Sequence, residues 1–195
     1  MPDALASQVA AGEVVERPSS VVKELVENSL DAGSNELRVE SQRGGIALIK
    51  ITDDGCGMGR DDAVLSLERH ATSKLLEKED LNAITTFGFR GEALPSIASV
   101  SRFRLMTRIK DSVSGTAIMV EGGRLKDVCE ARCPPGTTVE VRDLFYNIPA
   151  RRKFLRSEAT EAAHVDHQVR LHALASPGTR FIYRKDGKVA FDVPA

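Results

Sequence analysis

An α/β fold of the α+β kind, a mostly antiparallel sheet with helices on one face, is predicted by three features of the sequence. Stretches of helical and of strand periodicity alternate in blocks along the chain. The strand-like runs are separated by turn chemistry, with Arg43-Gly44-Gly45 and Asp186-Gly187 as hairpin signals. Hydrophobic residues make up 42% of the 195, enough for one sizeable core.

The elements follow in order. Residues 4–15 read as a short helix weakened by Gly12. Residues 21–33 form the helix around which the rest is organised. Pro18, Ser19 and Ser20 supply its start and Gly33 its stop. At ~100° per residue, Val22, Leu25, Val26, Ser29 and Leu30 share the face to be buried. Glu24 and Asn28 lie one turn apart on the opposite side, with Asp31 beside them. Residues 36–42 and 46–52 are two strands. In the second, Ala47, Ile49 and Ile51 share a face, and Asp53 continues that row. A carboxylate at the end of a core-facing row is costly unless a donor partners it.

Gly55, Gly57 and Gly59 then break the chain into a turn, and residues 60–69 are helical, with Asp61 and Asp62 in the first turn. Residues 70–90 are polar and weakly periodic, the best candidate for a loop. Residues 91–100 begin another helix, which tolerates Pro95 only in its first turn. Strands are expected at 101–108, 114–121, 124–129 and 137–144, a helix at 157–175 capped by Ser157, and a final hairpin of 181–185 with 188–192. No domain boundary falls inside the chain.

Composition narrows the function. The formal net charge is −1, so contact with a nucleic-acid backbone must come from a local patch. Cys56, Cys129 and Cys133 form an odd set without a Cys-x-x-Cys, which argues against a disulfide framework and for a reducing, cytoplasmic setting. Their spacing fits no common zinc site. No signal-peptide pattern and no apolar run of membrane-spanning length occurs.

The chemistry-bearing residues point to a nucleotide. No P-loop sequence is present, and Gly55-x-Gly57-x-Gly59 is not the dinucleotide fingerprint. Gly88 to Gly91 lead directly into a helix, whose N-terminus is a ready anion site, with Arg90 and Lys74 adding charge. Asp53 can accept a hydrogen bond from an exocyclic amine, which adenine has and guanine replaces with a carbonyl. Asn28 offers one oxygen to a divalent ion that takes its other ligands from water and phosphate. Glu24 can polarise a water in line with a terminal phosphate. Asp31 is the rival carboxylate; spacing favours Glu24 without deciding.

Glu24-x-x-x-Asn28, Asp53-x-Gly55-x-Gly57 and the later glycine-rich loop resemble the superfamily of gyrase, heat-shock chaperone, histidine kinase and MutL ATPases. The likeness to the MutL mismatch-repair branch extends over nearly the whole chain. It is carried by residues 10–18 and 22–33, by Arg69-His70-Ala71-Thr72-Ser73-Lys74, by Gly88-Phe89-Arg90-Gly91-Glu92-Ala93-Leu94 and by residues 143–155.

The resemblance implies a two-layer sandwich of the Bergerat type, with ATP held between helices and sheet. It makes Glu24 the general base, Asn28 the Mg2+ ligand and Asp53 the adenine reader, with Gly57 giving the base room. Residues 69–91 become an ATP lid whose Lys74, Gly88, Arg90 and Gly91 lie near the phosphates. Thr137 assists Asp53 through its hydroxyl; it is preferred to Thr138 because it shares the face of Val139 and Val141. The resemblance further implies a single ATP-binding domain over 1–195. The family's following transducer domain, which supplies a lysine to the terminal phosphate, and its C-terminal dimerisation domain lie outside this sequence, so slow hydrolysis is expected of the chain alone. Implied partners are double- and single-stranded DNA bound weakly, the mismatch-recognition protein MutS, downstream repair factors and a second copy on ATP binding, in a cytoplasmic, nucleoid-associated setting without membrane.

Two sets of residues carry weaker expectations. Arg151, Arg152, Lys153 and Arg156 either touch DNA phosphates or pack on neighbouring carboxylates, the second being slightly favoured. His164, His167 and His172 read as surface or boundary positions on a helix. The competing function is a non-catalytic DNA- or protein-binding scaffold with a vestigial pocket, and a third is another branch of the superfamily.

Overall fold

The computed structural model describes residues 15–68 and 91–195. The helix expected over 4–15 and the stretch 69–90 therefore lie outside the described residues, except Val15.

Helix α1, Pro18–Asp31, starts with proline at its first position, where the missing N–H costs nothing, and Arg17 is the extended residue before it. No side chain caps this end, so Ser19 and Ser20 sit within the first turn rather than before it. The other end closes as the sequence predicts. Gly33 takes φ +72, its N–H reaches Leu30 O at 2.9 Å, and Ser34 N–H reaches Ser29 O at 3.3 Å, a Schellman stop.

Strands β1 (Glu36–Gln42) and β2 (Leu48–Asp53) form the expected antiparallel hairpin around a short turn at Arg43–Gly45. Helix α2 (Arg60–Leu65) and helix α3 (Ala93–Ser99) follow, the latter with Pro95 in its first turn. Then come β3 (Arg102–Arg108), β4 (Gly115–Glu121), β5 (Arg124–Ala131) and β6 (Gly136–Arg142). Helix α4 (Pro149–Phe154) is a single short segment that periodicity did not predict. Helix α5 (Glu158–Ala175) is capped by Ser157, whose Oγ accepts the Thr160 N–H at 3.2 Å. Strands β7 (Arg180–Lys185) and β8 (Lys188–Val193) close the chain.

All eight strands make one sheet in the order β5-β4-β3-β6-β2-β1-β7-β8. Every neighbouring pair is antiparallel except β1 with β7. Alternation along each strand sends one set of side chains to the core. Ile118, Leu105, Val139, Ile51, Val39 and Tyr183 form a buried row across six strands. They share a core with Val22, Leu25 and Val26 of α1, Ile97 of α3, and Val165 and Val169 of α5. Fully burying each such side chain is worth roughly 1.5–3 kcal/mol. The opposite face carries charges that alternate in sign across the ladder: Arg104, Glu140, Lys50, Glu40 and Arg184. One face is thus apolar and covered, the other polar, which is the two-layer arrangement expected.

Candidate nucleotide site

The next core-facing row toward one end of the sheet is different in kind. Reading across β4, β3, β6, β2, β1 and β7 it runs Thr116, Thr107, Thr137, Asp53, Leu37, Phe181. Four adjacent strands therefore contribute polar side chains to a face that is otherwise hydrophobic. The candidate site is organised on this row.

Asp53 is 8% exposed. Its Oδ1 accepts the backbone N–H groups of Gly55 at 3.0 Å and Thr137 at 3.1 Å, and its Oδ2 accepts the Ser29 hydroxyl at 2.8 Å. A carboxylate has about four acceptor positions, so one position on Oδ2 remains. Burial pushes the Asp53 carboxyl above its ordinary 3.8, against the lowering effect of these three hydrogen bonds. Asp54, next in the chain, plays a different part. Its Oδ1 accepts the N–H groups of Asn35 at 2.7 Å and Glu36 at 2.9 Å and so pins the start of β1.

Ser29 is the residue that joins helix to sheet. Helical periodicity placed it on the buried face without a role; a hydroxyl buried there needs a partner, and Asp53 supplies it. Beside this bond, Cys56 N–H reaches Ala32 O at 3.0 Å, so the loop after β2 is fastened to the end of α1. Asn28 is the residue before Ser29 on α1 and is half-buried, and Glu24 lies one turn earlier, its side chain 28% exposed. Lys23 Nζ stands 3.4 Å from Glu24 Oε1 and 3.2 Å from Glu27 Oε2. Asp31 is the last residue of α1 and is half-buried.

Thr137 contributes to Asp53 through its backbone N–H. Its hydroxyl lies 3.0 Å from the Thr107 hydroxyl, while Thr138 turns to the opposite face and donates to Thr52 Oγ1 at 3.2 Å. Thr107 was not singled out in the sequence. It is fully buried, accepts the Met58 N–H at 2.9 Å and donates to Gly136 O at 3.1 Å. The signal was the one that exposed Asp53, a polar residue continuing the row of Phe103 and Leu105.

Gly57 takes φ +67, and a Cβ there would collide with the carbonyl oxygen of Arg108. Close passage of the loop over the end of β3 requires this glycine, a constraint separate from room for a base. Gly136, at φ +109, meets the same limit against the carbonyl of Asp53. Gly91 takes φ +62 two residues ahead of α3. Lys74, Gly88 and Arg90 lie outside the described residues.

The histidines divide. His172 is 8% exposed, not a surface position: its Nδ1 lies 2.9 Å from Gln168 O and its Nε2 3.5 Å from Glu27 Oε1, across the α1–α5 contact. Arg151 lies over the Phe145 ring, 5.9 Å from its centroid. Cys56, Cys129 and Cys133 are free thiols. No helix among the described residues is long and apolar enough to cross a membrane.

Residues 16–128 match the model of the histidine kinase-, DNA gyrase B- and HSP90-like ATPases. That span takes in α1, the Asp53 strand, the glycine turn and the Thr107 strand. The chain belongs to this ATPase family.

Within it, the chain is 62% identical over 195 residues to the DNA mismatch repair protein MutL of Akkermansia muciniphila, covering 100% of this chain and 31% of that protein. It is 58% identical over 191 residues to MutL of Citrifermentans bemidjiense, covering 98% and 30%. The chain thus spans about a third of the length of these relatives. Among solved structures, the Aquifex aeolicus MutL ATPase domain complexed with ADP superposes with a TM-score of 0.74 at 36% identity, over 93% of this chain and 65% of that one. The MutL ATPase domains share the mixed sheet covered by helices seen here.

Proposed function

We propose that this chain is a single ATP-binding domain that takes ATP with Mg2+ and, within a longer mismatch-repair protein, hydrolyses it as a conformational and dimerisation switch. The observation that carries this reading is Asp53. It is a buried carboxylate held by three donors of the fold, with one acceptor position left and a helix of oxygen-bearing side chains fastened beside it by Ser29. The ADP in the superposable Aquifex aeolicus domain supports it.

In this reading Asp53 accepts the exocyclic amine of adenine and Thr137 stands next to it. Glu24 is the general base: its carboxylate, partly open to solvent, takes a proton from the water that attacks the terminal phosphate. Asn28 fits a hard cation, since a carboxamide oxygen is a suitable ligand and such an ion draws most of its shell from water and phosphate. When bound, Mg2+ supplies charge neutralisation on the phosphates. Lys74, Gly88, Arg90 and Gly91 are assigned to the phosphate end by family likeness. DNA, MutS, downstream repair factors and a second copy are the proposed partners of the longer protein, in a bacterial cytoplasm.

Steady-state phosphate release by the full-length parent, with and without Mg2+, tests the reading. Metal-dependent turnover that Glu24→Ala lowers by ~10²–10⁴ is expected. Equal rates for wild type and Glu24→Ala would remove the base assignment. Absence of any turnover, with DNA binding intact, would favour the scaffold.

A further inference from the structure

We propose that Thr107 is a positioning residue that turns the Thr137 hydroxyl into an acceptor toward the base, so that the site takes an exocyclic amine and rejects a carbonyl at the same ring position. This rests on the adenine-nucleotide reading above and deepens it.

The argument is one of proton accounting. The Thr107 hydroxyl has one proton and two lone pairs. Three groups surround it: Gly136 O at 3.1 Å, Met58 N–H at 2.9 Å and the Thr137 hydroxyl at 3.0 Å. The Gly136 carbonyl can only accept, and the Met58 N–H can only donate. The single Thr107 proton therefore goes to Gly136 O, and the two lone pairs receive Met58 N–H and the Thr137 O–H. This arrangement gives each of the four groups a partner, and Thr107 is fully buried, where an unsatisfied group is expensive.

Thr137 then has its proton committed to Thr107 and its lone pairs left for other neighbours. It is paired with Asp53 across β2 and β6, on the same face. Asp53 likewise has only an acceptor position left, on Oδ2. Thr137 and Asp53 thus offer two acceptors side by side and, between them, no donor. A 6-amino purine brings two N–H groups to such an edge. A 6-oxo purine puts carbonyl lone pairs against these lone pairs at that position and moves its donor to the neighbouring ring nitrogen, so keeping the same seat means shifting the base or rotating the Thr137 hydroxyl off Thr107. Thr107 exerts this control without touching the base, because it is the strand neighbour of Thr137 on the far side from Asp53.

The test measures the ratio of affinities for ADP and for inosine diphosphate, which carries a carbonyl in place of the amine. The chain is used as wild type and as Thr107→Val and Thr107→Ser. Thr107→Val frees the Thr137 hydroxyl to donate, and the ratio should fall by ~3–10-fold, the worth of one ordinary hydrogen bond. Thr107→Ser keeps the hydroxyl and should restore it. A purely packing role for Thr107 would weaken both nucleotides alike. A folded Thr107→Val that keeps the wild-type ratio overturns the proposal. If Thr107→Val does not fold, Thr107→Cys, a similar-sized side chain with weaker donor and acceptor, takes its place: a smaller fall in the same direction supports the proposal, and an unchanged ratio overturns it. Wild type that binds neither nucleotide overturns the adenine reading itself, and this proposal with it. Wild type that binds both equally overturns only the amine preference.

Discussion

At the sheet end of the candidate site, Asp53 is 8% exposed and takes hydrogen bonds of 2.8, 3.0 and 3.1 Å from three different segments of the chain. At the helix end, Glu24 keeps 28% of its side chain exposed and meets Lys23 at 3.4 Å, a contact of the kind worth ~0–1 kcal/mol. The proposed base-reading carboxylate is thus built into the scaffold by the fold's own donors, while the proposed catalytic carboxylate stays partly open to solvent. The two jobs demand this. Reading a base needs an acceptor that cannot move, so its geometry is fixed by backbone donors and a strand row. Activating water needs a carboxylate that water can reach. It follows that damage at the sheet end should appear in both stability and affinity, and damage at the helix end in turnover alone.

The sharpest way to break that contrast is Glu24→Ala in the full-length parent. Turnover should fall by ~10²–10⁴, with nucleotide affinity and melting temperature little changed. A melting temperature that drops with it would place Glu24 in the scaffold after all. Asp53→Asn acts at the other end. The carboxamide oxygen can still serve the Gly55 and Thr137 N–H groups, so the fold should survive, while nucleotide binding weakens by ~1.5–3 kcal/mol, the worth of a charged hydrogen bond. Ser29→Ala removes one of three donors to a buried carboxylate. It should lower unfolding free energy in urea by ~1–2 kcal/mol and weaken ADP binding by less than Asp53→Asn does.

Acid should have the smallest effect and divide the two ends most cleanly. Because burial raises the Asp53 carboxyl above its ordinary 3.8, the folded protein binds this proton at a pH where the unfolded chain does not. Wild-type stability relative to Asp53→Asn should therefore rise as pH falls through the raised value, and level off below 3.8. Nucleotide affinity should move the opposite way, since protonation takes the acceptor from the amine. Paired urea melts and titrations of both proteins across that range check the two signs.

Much of this was legible in the sequence, for identifiable reasons. Two-residue periodicity carried Ala47, Ile49 and Ile51 forward to Asp53, and helical periodicity separated the Ser29 face from the Glu24 and Asn28 edge. Gly33 and Ser157 marked helix ends by local chemistry alone. What stayed hidden depends on pairings between distant segments. Thr107 matters because β3 lies against β6 and β6 against β2, an order that no local pattern encodes. Ser29 was visibly buried, but its partner lies 24 residues on. Local pattern makes His172 a surface or boundary position; its burial comes from α1, which sets Glu27 against it. The parallel pairing of β1 with β7 joins residues more than a hundred positions apart, and α4 is too short to show a period.

Calorimetric titration of a non-hydrolysable ATP analogue with Mg2+ into the chain, as wild type and as Asp53→Asn, tests the central claim most directly. The expected result is saturable one-to-one binding by the wild type and a clear loss of affinity in the variant. Heat indistinguishable from dilution at millimolar nucleotide, or equal binding by the two proteins, would contradict it.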